Sequence, residues 1–305
     1  MRIGITLNQR IGPDAMSLLT HDVRRAADVG LESVWLPHIF GMDALTALAV
    51  VGSQVPMIQL GTGIVPTYPR HPGALAQQAR TAAVAVGPGR LSLGVGVSGR
   101  FVIEPMYGYD YDRPVRHLKE YLSALVPLLD GHSVAYAGET IQANLTLDPL
   151  SAERLPVLVA ALGPQMLKVA GRQTDGTVLW MTGPKTIRSY IVPTLKAAAD
   201  AASRPAPRVV CILPVCVTDD AEAARALASS MFEFYGTLPN YRAMLDREGV
   251  GGPGDVAVVG TEDEVTAHIQ EIAAAGATEF AGLLFTDGDC AARTCSLLGR
   301  LRLGD

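Results

Sequence analysis

Eight short apolar runs, most of them followed by a stretch of helical period, set the terms for this sequence. The runs are Ile3–Leu7, Ser33–Leu36, Gln59–Val65, Arg90–Val97, Leu155–Ala161, Gly176–Met181, Arg208–Val217 and Phe280–Phe285. Parallel neighbours in a sheet need long crossovers, usually helices, so the alternation predicts a parallel sheet. Eight units suit a closed (β/α)8 TIM barrel, with an open doubly wound sheet as the alternative. A barrel routinely runs to the 305 residues present here, so one domain spanning 1–305 is expected. The rhythm loosens near 98–115, 130–154 and 235–258, which read as insertions. The first is read as irregular, the second as carrying a hairpin around Gly138, and the third as lacking any clean period.

Local signals agree with this alternation. Asp14–Val29 places Leu18, Leu19, Val23, Ala26 and Ala27 on one helical face, and Gly30 stands where a helix ends. Asp43 is placed to cap the next helix, and Gly87, Pro88 and Gly89 stop the one over Gly73–Val86. Helices are expected over Gln165–Gln173 and from Lys185 to about Ala202. Asp219 or Asp220 caps another, and Thr261 with Glu264 forms a capping box. The junctions AADVGLESVWL and AAAGATEFAGLL are alike, as repeated units would be.

A net charge of −5 shows no domain-scale basic excess, which speaks against nucleic acid and for a small-molecule partner. No apolar run is long enough to span a bilayer, and the first residues have no signal-peptide pattern, so a cytoplasmic protein is expected. Cys211, Cys216, Cys290 and Cys295 lack metal-clamp spacing and read as reduced thiols, with no metal site.

The third run is unusual. Gly61 and Gly63 interrupt QLGTGIV, and glycine inside a strand marks a bulge or a close backbone approach, or else simply clears a packed neighbour. The loop Pro66–Pro72 that follows is polar, aromatic and cationic. In a barrel the strand ends lead into the active site, which collects His38, Gly63 through Arg70, Ser98, Gly99 and Arg100, Leu162 to Met166, and Thr182 with Gly183. His38 is either a catalytic imidazole or a hydrogen-bonded structural one. In ALGPQM, Pro164 suits a first helical position, so the turn is either an anion site on exposed N–H groups or a plain strand-to-helix turn. Gly94, Gly96 and Gly99 spell G-x-G-x-x-G, but Phe101–Pro114 reads as irregular and no acidic residue ends the next strand, so a dinucleotide fingerprint is not expected.

The stretches ADVGLESVWLPHIF, IQLGTGIVPTYPRHPGALAQQARTAAVAVGPGRLSLGVG, PVLVAALGPQMLKVAGRQTDGTVLWMTGP and VGTEDEV…AAAGATEF resemble the bacterial luciferase-like superfamily, and within it the actinobacterial oxidoreductases dependent on the deazaflavin coenzyme F420. The resemblance implies a luciferase-like barrel with insertions, usually a homodimer through early helices, with the cofactor lying across the carboxyl ends of the strands. It implies a non-prolyl cis peptide at Gly63-Ile64, beside Thr62, as a bulge supporting the ring. It places phosphate contacts at the backbone of Gly163, Pro164, Gln165 and Met166, has Ser98 and Gly99 bordering the ring, and counts Leu162 and Thr182 among the cofactor-binding residues. Where relatives carry an Asp-His pair, this chain has Pro37-His38-Ile39. Where sugar-phosphate dehydrogenases of the family place a glutamate, it has Ser98-Gly99, with Glu104 the nearest acid. His38 is then the first candidate proton donor and Glu104 the second, and Tyr68, Tyr107, Trp180 and Met181 are candidate pocket walls. The expected activity is hydride transfer between coenzyme F420 and a small organic substrate, reducing an activated C=C or C=N bond. An FMN-dependent monooxygenase or a noncatalytic flavin-binding barrel are the alternatives.

Overall fold

The computed structural model describes residues 1–8, 10–150 and 153–303. Eight strands close a parallel barrel: Arg2–Thr6, Ser33–Leu36, Gln59–Thr62, Leu91–Gly96, Val157–Ala160, Gly176–Trp180, Arg208–Ile212 and Glu279–Leu284. Closure is direct, since the first strand pairs with the eighth from Arg2↔Glu279 to Thr6↔Leu283. The open doubly wound alternative is thereby excluded. Almost every barrel residue is buried, as expected of strands covered on both faces.

The seventh strand is broken at Leu213 and resumes in the same register as Pro214–Val217, which also pairs with an outer strand, Val258–Gly260. Asp43 caps the helix Ala44–Gln54 through the Thr46 N–H, Asp220 caps Ala221–Thr237, and Thr261 with Glu264 closes the capping box of Glu262–Ala274. The hairpin falls at Val134–Ala137 and Gln142–Leu145.

Three expectations need correction. The segment after the fourth strand is not irregular: Gly99 opens a helix over Arg100–Tyr107, with Pro105 in its last turn and left-handed Gly108 ending it. The third insertion contains a helix over Pro239–Glu248. The helix expected from Lys185 is not continuous, because Ile187–Ile191 is π-helical between Pro184–Thr186 and Val192–Asp200. A last helix, Gly288–Arg300, which the reading above does not place, buries Thr294, Leu297, Leu298 and Gly299.

The amino-terminal end of the barrel is plugged by a polar network. Glu279, 1 % exposed, accepts from Ser33 Oγ at 2.5 Å, Trp35 Nε1 at 2.6 Å and Arg208 Nη2 at 3.0 Å, and pairs with Arg2 at 3.3 Å. Arg208 crosses the interior to Ser92 Oγ at 3.0 Å. A buried charge is tolerable when it is paired and hydrogen-bonded like this. Conserving such an arrangement would be a matter of stability, because TIM-barrel chemistry belongs to the opposite end.

Candidate active site

At the carboxyl end the third strand departs from regular pairing. Leu60 and Gly61 face Leu91 and Ser92, but Val65 faces Val95, so Thr62, Gly63 and Ile64 stand opposite only Leu93 and Gly94. That extra residue makes a bulge. The Gly63-Ile64 peptide is cis, as the resemblance implied. Beside the bulge a side chain takes up the Gly94 main chain, whose other neighbour in the sheet is Leu158. Thr62 Oγ1 accepts the Gly94 N–H and donates to the Gly94 carbonyl, both at 2.8 Å, at 0 % exposure. Gly63 N–H is tied to the Leu36 carbonyl at 2.9 Å, two residues before His38.

The glycines now separate by role. A Cβ on Gly94 would overlap the Thr62 carbonyl, and one on Gly96 would meet Ile64 Cδ1 at 2.8 Å, so both make room for the bulge. These are the glycines of the apparent dinucleotide motif. A helix does open from Gly99, contrary to the reading above, but no acid ends the following strand Val157–Ala160. Gly61 clears a packed neighbour, since its Cβ would lie 2.5 Å from the Trp35 ring. Gly63 and Ile64 themselves stay half-buried, in contact with solvent at the strand end.

Around the rim, Ser98 (φ 58°) and Met181 (φ 53°) end the fourth and sixth strands in left-handed conformations that non-glycine residues seldom adopt, and such residues concentrate at functional sites. The Ser98 carbonyl accepts the Tyr111 hydroxyl at 2.8 Å, and Ser98 and Gly99 are both half-buried. Thr182 is 1 % exposed and spends its hydroxyl on the Trp180 carbonyl at 3.2 Å.

At the fifth strand end, Gly163 starts the helix Pro164–Gln173 with no side-chain cap, and nothing lies within 4 Å of where its Cβ would be. Pro164 and Gln165 are exposed and Met166 is half-buried, so the uncapped start of this helix, with the positive end of its dipole, is open to a ligand. Leu162 is braced by Tyr190 Oη, which donates to its carbonyl at 3.1 Å from the π-helical turn, and Arg247 stacks 4.0 Å over the Tyr190 ring. The neighbouring helix start at Pro184 is different: Glu248 accepts from Lys185 N at 3.0 Å and Thr186 N at 2.7 Å and so fills the place an anion would take.

His38 lies in a network with Asp43, Arg70 and Gln78. Its Nδ1 accepts the Ala44 N–H at 3.1 Å, its Nε2 lies 3.2 Å from Arg70 Nη1, and Arg70 also binds Asp43, which accepts from Gln78 at 2.8 Å. Burial, then the Arg70 charge, hold the His38 pKa below its ordinary value, with Asp43 offsetting part of this. Burial alone would raise Asp43, but the Thr46 N–H and Arg70 outweigh it and the net shift is downward. Glu104 sits on the helix Arg100–Tyr107 and binds Arg100, which also reaches Asp112 at 3.2 Å. Glu104, Asp110 and Asp112 converge to within 4.8 Å.

Sequence reasoning missed the partners of Tyr68. Its ring stacks on His117 at 3.8 Å and on Tyr111 at 5.4 Å, and His117 Nε2 lies 3.0 Å from Thr67 Oγ1. His117 is 6 % exposed, and burial lowers its pKa to about 4, with Glu120 opposing. The sequence signal was only a histidine on the buried face of Pro114–Leu129. On the other side of the barrel mouth, Trp180 meets Phe232 and Tyr235 edge to face, at 5.5 and 5.6 Å. Tyr107, a candidate wall, is instead 38 % exposed on the outer helix.

The chain can be compared with known proteins on this geometry. It is 25 % identical over 297 residues to a 5,10-methylenetetrahydromethanopterin reductase of Methanolobus tindarius, covering 87 % of this chain and 90 % of that one. The coenzyme F420 dependent tetrahydromethanopterin reductase of Methanopyrus kandleri superposes with a TM-score of 0.81 at 21 % identity, covering 98 % of each chain. The monooxygenase RslO1 of Streptomyces bottropensis superposes with a TM-score of 0.79, again at 21 % identity and 98 % coverage of each. Residues 1–279 match the profile of the family described as luciferase-like monooxygenase, so the chain belongs to that family.

Proposed function

We propose that this protein is an oxidoreductase that transfers a hydride between the deazaflavin coenzyme F420 and a small organic substrate, in the direction that reduces an activated C=C or C=N bond. The observation that carries this reading is the pairing, at one end of the barrel, of a glycine-cleared bulge with an uncapped helix start. The first offers a planar ring a seat of main chain and Ile64, and the second offers a phosphodiester its N–H groups. The residues present fit the cofactor: room at Gly163 and half-buried access at Gly63 and Ile64 are what such a ligand requires. When bound, coenzyme F420 supplies a two-electron hydride.

The chain's own part is orientation. Thr62 and Gly94 fix the bulge under one ring face, Ser98 and Gly99 border it, Thr182 is buried behind the rim with its hydroxyl on the Trp180 carbonyl, and Leu162 to Met166 hold the phosphate end. His38, whose Nδ1 accepts the Ala44 N–H and so keeps the ring proton on Nε2, is the first candidate for handling a proton, and Glu104, tied to Arg100, is the second. In this reading the enzyme works in the cytoplasm as a homodimer.

Fluorescence titration of the purified protein with coenzyme F420 and with FMN tests the reading. Tighter deazaflavin binding supports it, whereas tight FMN binding with weak deazaflavin binding points to the monooxygenase. Cofactor binding without turnover across a substrate panel leaves a noncatalytic barrel.

A further inference from the structure

We infer that the substrate side of this site selects a neutral, flat, hydrophobic molecule of aromatic character, received against an aromatic wall; this rests on the proposed function for the location of the site. The wall is continuous. Phe285 meets Phe232 at 6.3 Å, Phe232 meets Trp180, Trp180 meets Tyr235, Tyr235 meets Phe234 at 6.2 Å, and Phe234 meets Phe101 at 5.2 Å. These rings come from the ends of the fourth, sixth and eighth strands and from the helix after the seventh, so the wall runs across the mouth where cofactor and substrate would meet.

Every one of these contacts is edge to face, with interplanar angles of 63 to 82°. Phe232 and Phe285 are buried and form the backing of this wall, while Trp180 and Tyr235, half-buried, and Phe234 and Phe101, exposed, are the rings a flat apolar guest can reach. At the outer end Phe101 and Phe234 are 45 % and 52 % exposed, a place where large apolar rings gain nothing in the absence of a guest.

Charge narrows the class further. The two arginines that reach the mouth from the third and fourth strand ends are already committed, Arg70 to Asp43 and Arg100 to Glu104 and Asp112. With Asp110 beside them, the carboxylates disfavour an anionic guest such as a sugar phosphate.

The test is equilibrium dialysis of 2-acetylnaphthalene and of glucose 6-phosphate against the wild-type protein and the Phe101→Ala and Phe234→Ala variants, with and without saturating coenzyme F420. Both phenylalanines are about half exposed, so truncation leaves the fold intact, which circular dichroism checks. The inference expects 2-acetylnaphthalene to bind at least tenfold tighter than glucose 6-phosphate, and each variant to weaken it five- to tenfold while the coenzyme affinity changes less than twofold. Glucose 6-phosphate binding as tightly as the naphthalene, or both variants staying within twofold of wild type, overturns it. A protein that binds the naphthalene in this pattern but not coenzyme F420 upholds the inference and refutes the cofactor reading.

Discussion

Replacing Thr62 by valine should undo the bulge with almost no change in shape. The substitution keeps the side-chain outline and deletes one hydroxyl, which at present accepts the Gly94 N–H and donates to the Gly94 carbonyl, both at 2.8 Å and with no solvent contact. Two net hydrogen bonds of about 1 kcal/mol each are lost, and the stranded Gly94 groups add part of a desolvation penalty of about 1–3 kcal/mol. A total of about 2–4 kcal/mol follows. Serine is the control, because it keeps the hydroxyl and loses one buried methyl, about 0.8 kcal/mol. At this chain length about 2 °C of melting temperature corresponds to each kcal/mol. Calorimetry should therefore find Thr62→Val lower by about 4–8 °C and Thr62→Ser by about 2 °C, and deazaflavin titration should show the larger loss for valine. If the valine variant melts with the serine variant and binds the cofactor as well, the hydroxyl does not hold the bulge and the reasoning is wrong.

Other expectations follow from the same geometry. Glu279→Ala leaves Arg208, Arg2, Ser33 and Trp35 without their shared acceptor and should cost about 3–5 kcal/mol in chemical denaturation, whereas a loss under 1 kcal/mol would show the plug to be dispensable. Tyr121 is fully buried and its hydroxyl has no hydrogen-bond partner among the described residues, so Tyr121→Phe should be neutral or stabilise by about 1 kcal/mol; a clear loss of stability would reveal a partner for that hydroxyl. His117 has a folded pKa of about 4, below the ordinary 6.5, so between these values the unfolded chain binds more protons and stability falls as pH drops through the window. His38 and His268 are shifted the same way, so the measurement is the difference between wild type and His117→Phe, which should show a shallower loss of stability from pH 6.5 to 4. Arg70→Met removes a cation that depresses His38 and leaves Asp43 beside it, so the imidazole pKa, followed by NMR, should rise; an unchanged value would mean burial alone sets it.

The sequence was most legible where the cause of a structure is local. Asp43, Thr261 with Glu264, and Gly30 announce helix ends within four residues of where they act, and each end was found. The glycines of QLGTGIV marked the bulge, but its fit depends on Gly94 and Gly96, some thirty residues on, where a local motif suggested nucleotide binding instead. Pro105 hid the helix Arg100–Tyr107 because a proline usually ends one, yet here it falls in the last turn with Gly108 just beyond. The stack of Tyr68 on His117 and the ion network of Glu279 join residues 49 to 277 positions apart, and nothing in the neighbourhood of either partner in sequence points to the other.

The plug around Glu279 has one further consequence. Ring closure is bolted at the end remote from the cofactor seat, by groups on five of the eight staves. The loops at the far rim can then lengthen, shorten or exchange residues without loosening the hoop, so a lineage built on this chassis is free to trade one substrate for another while its foundation stays put.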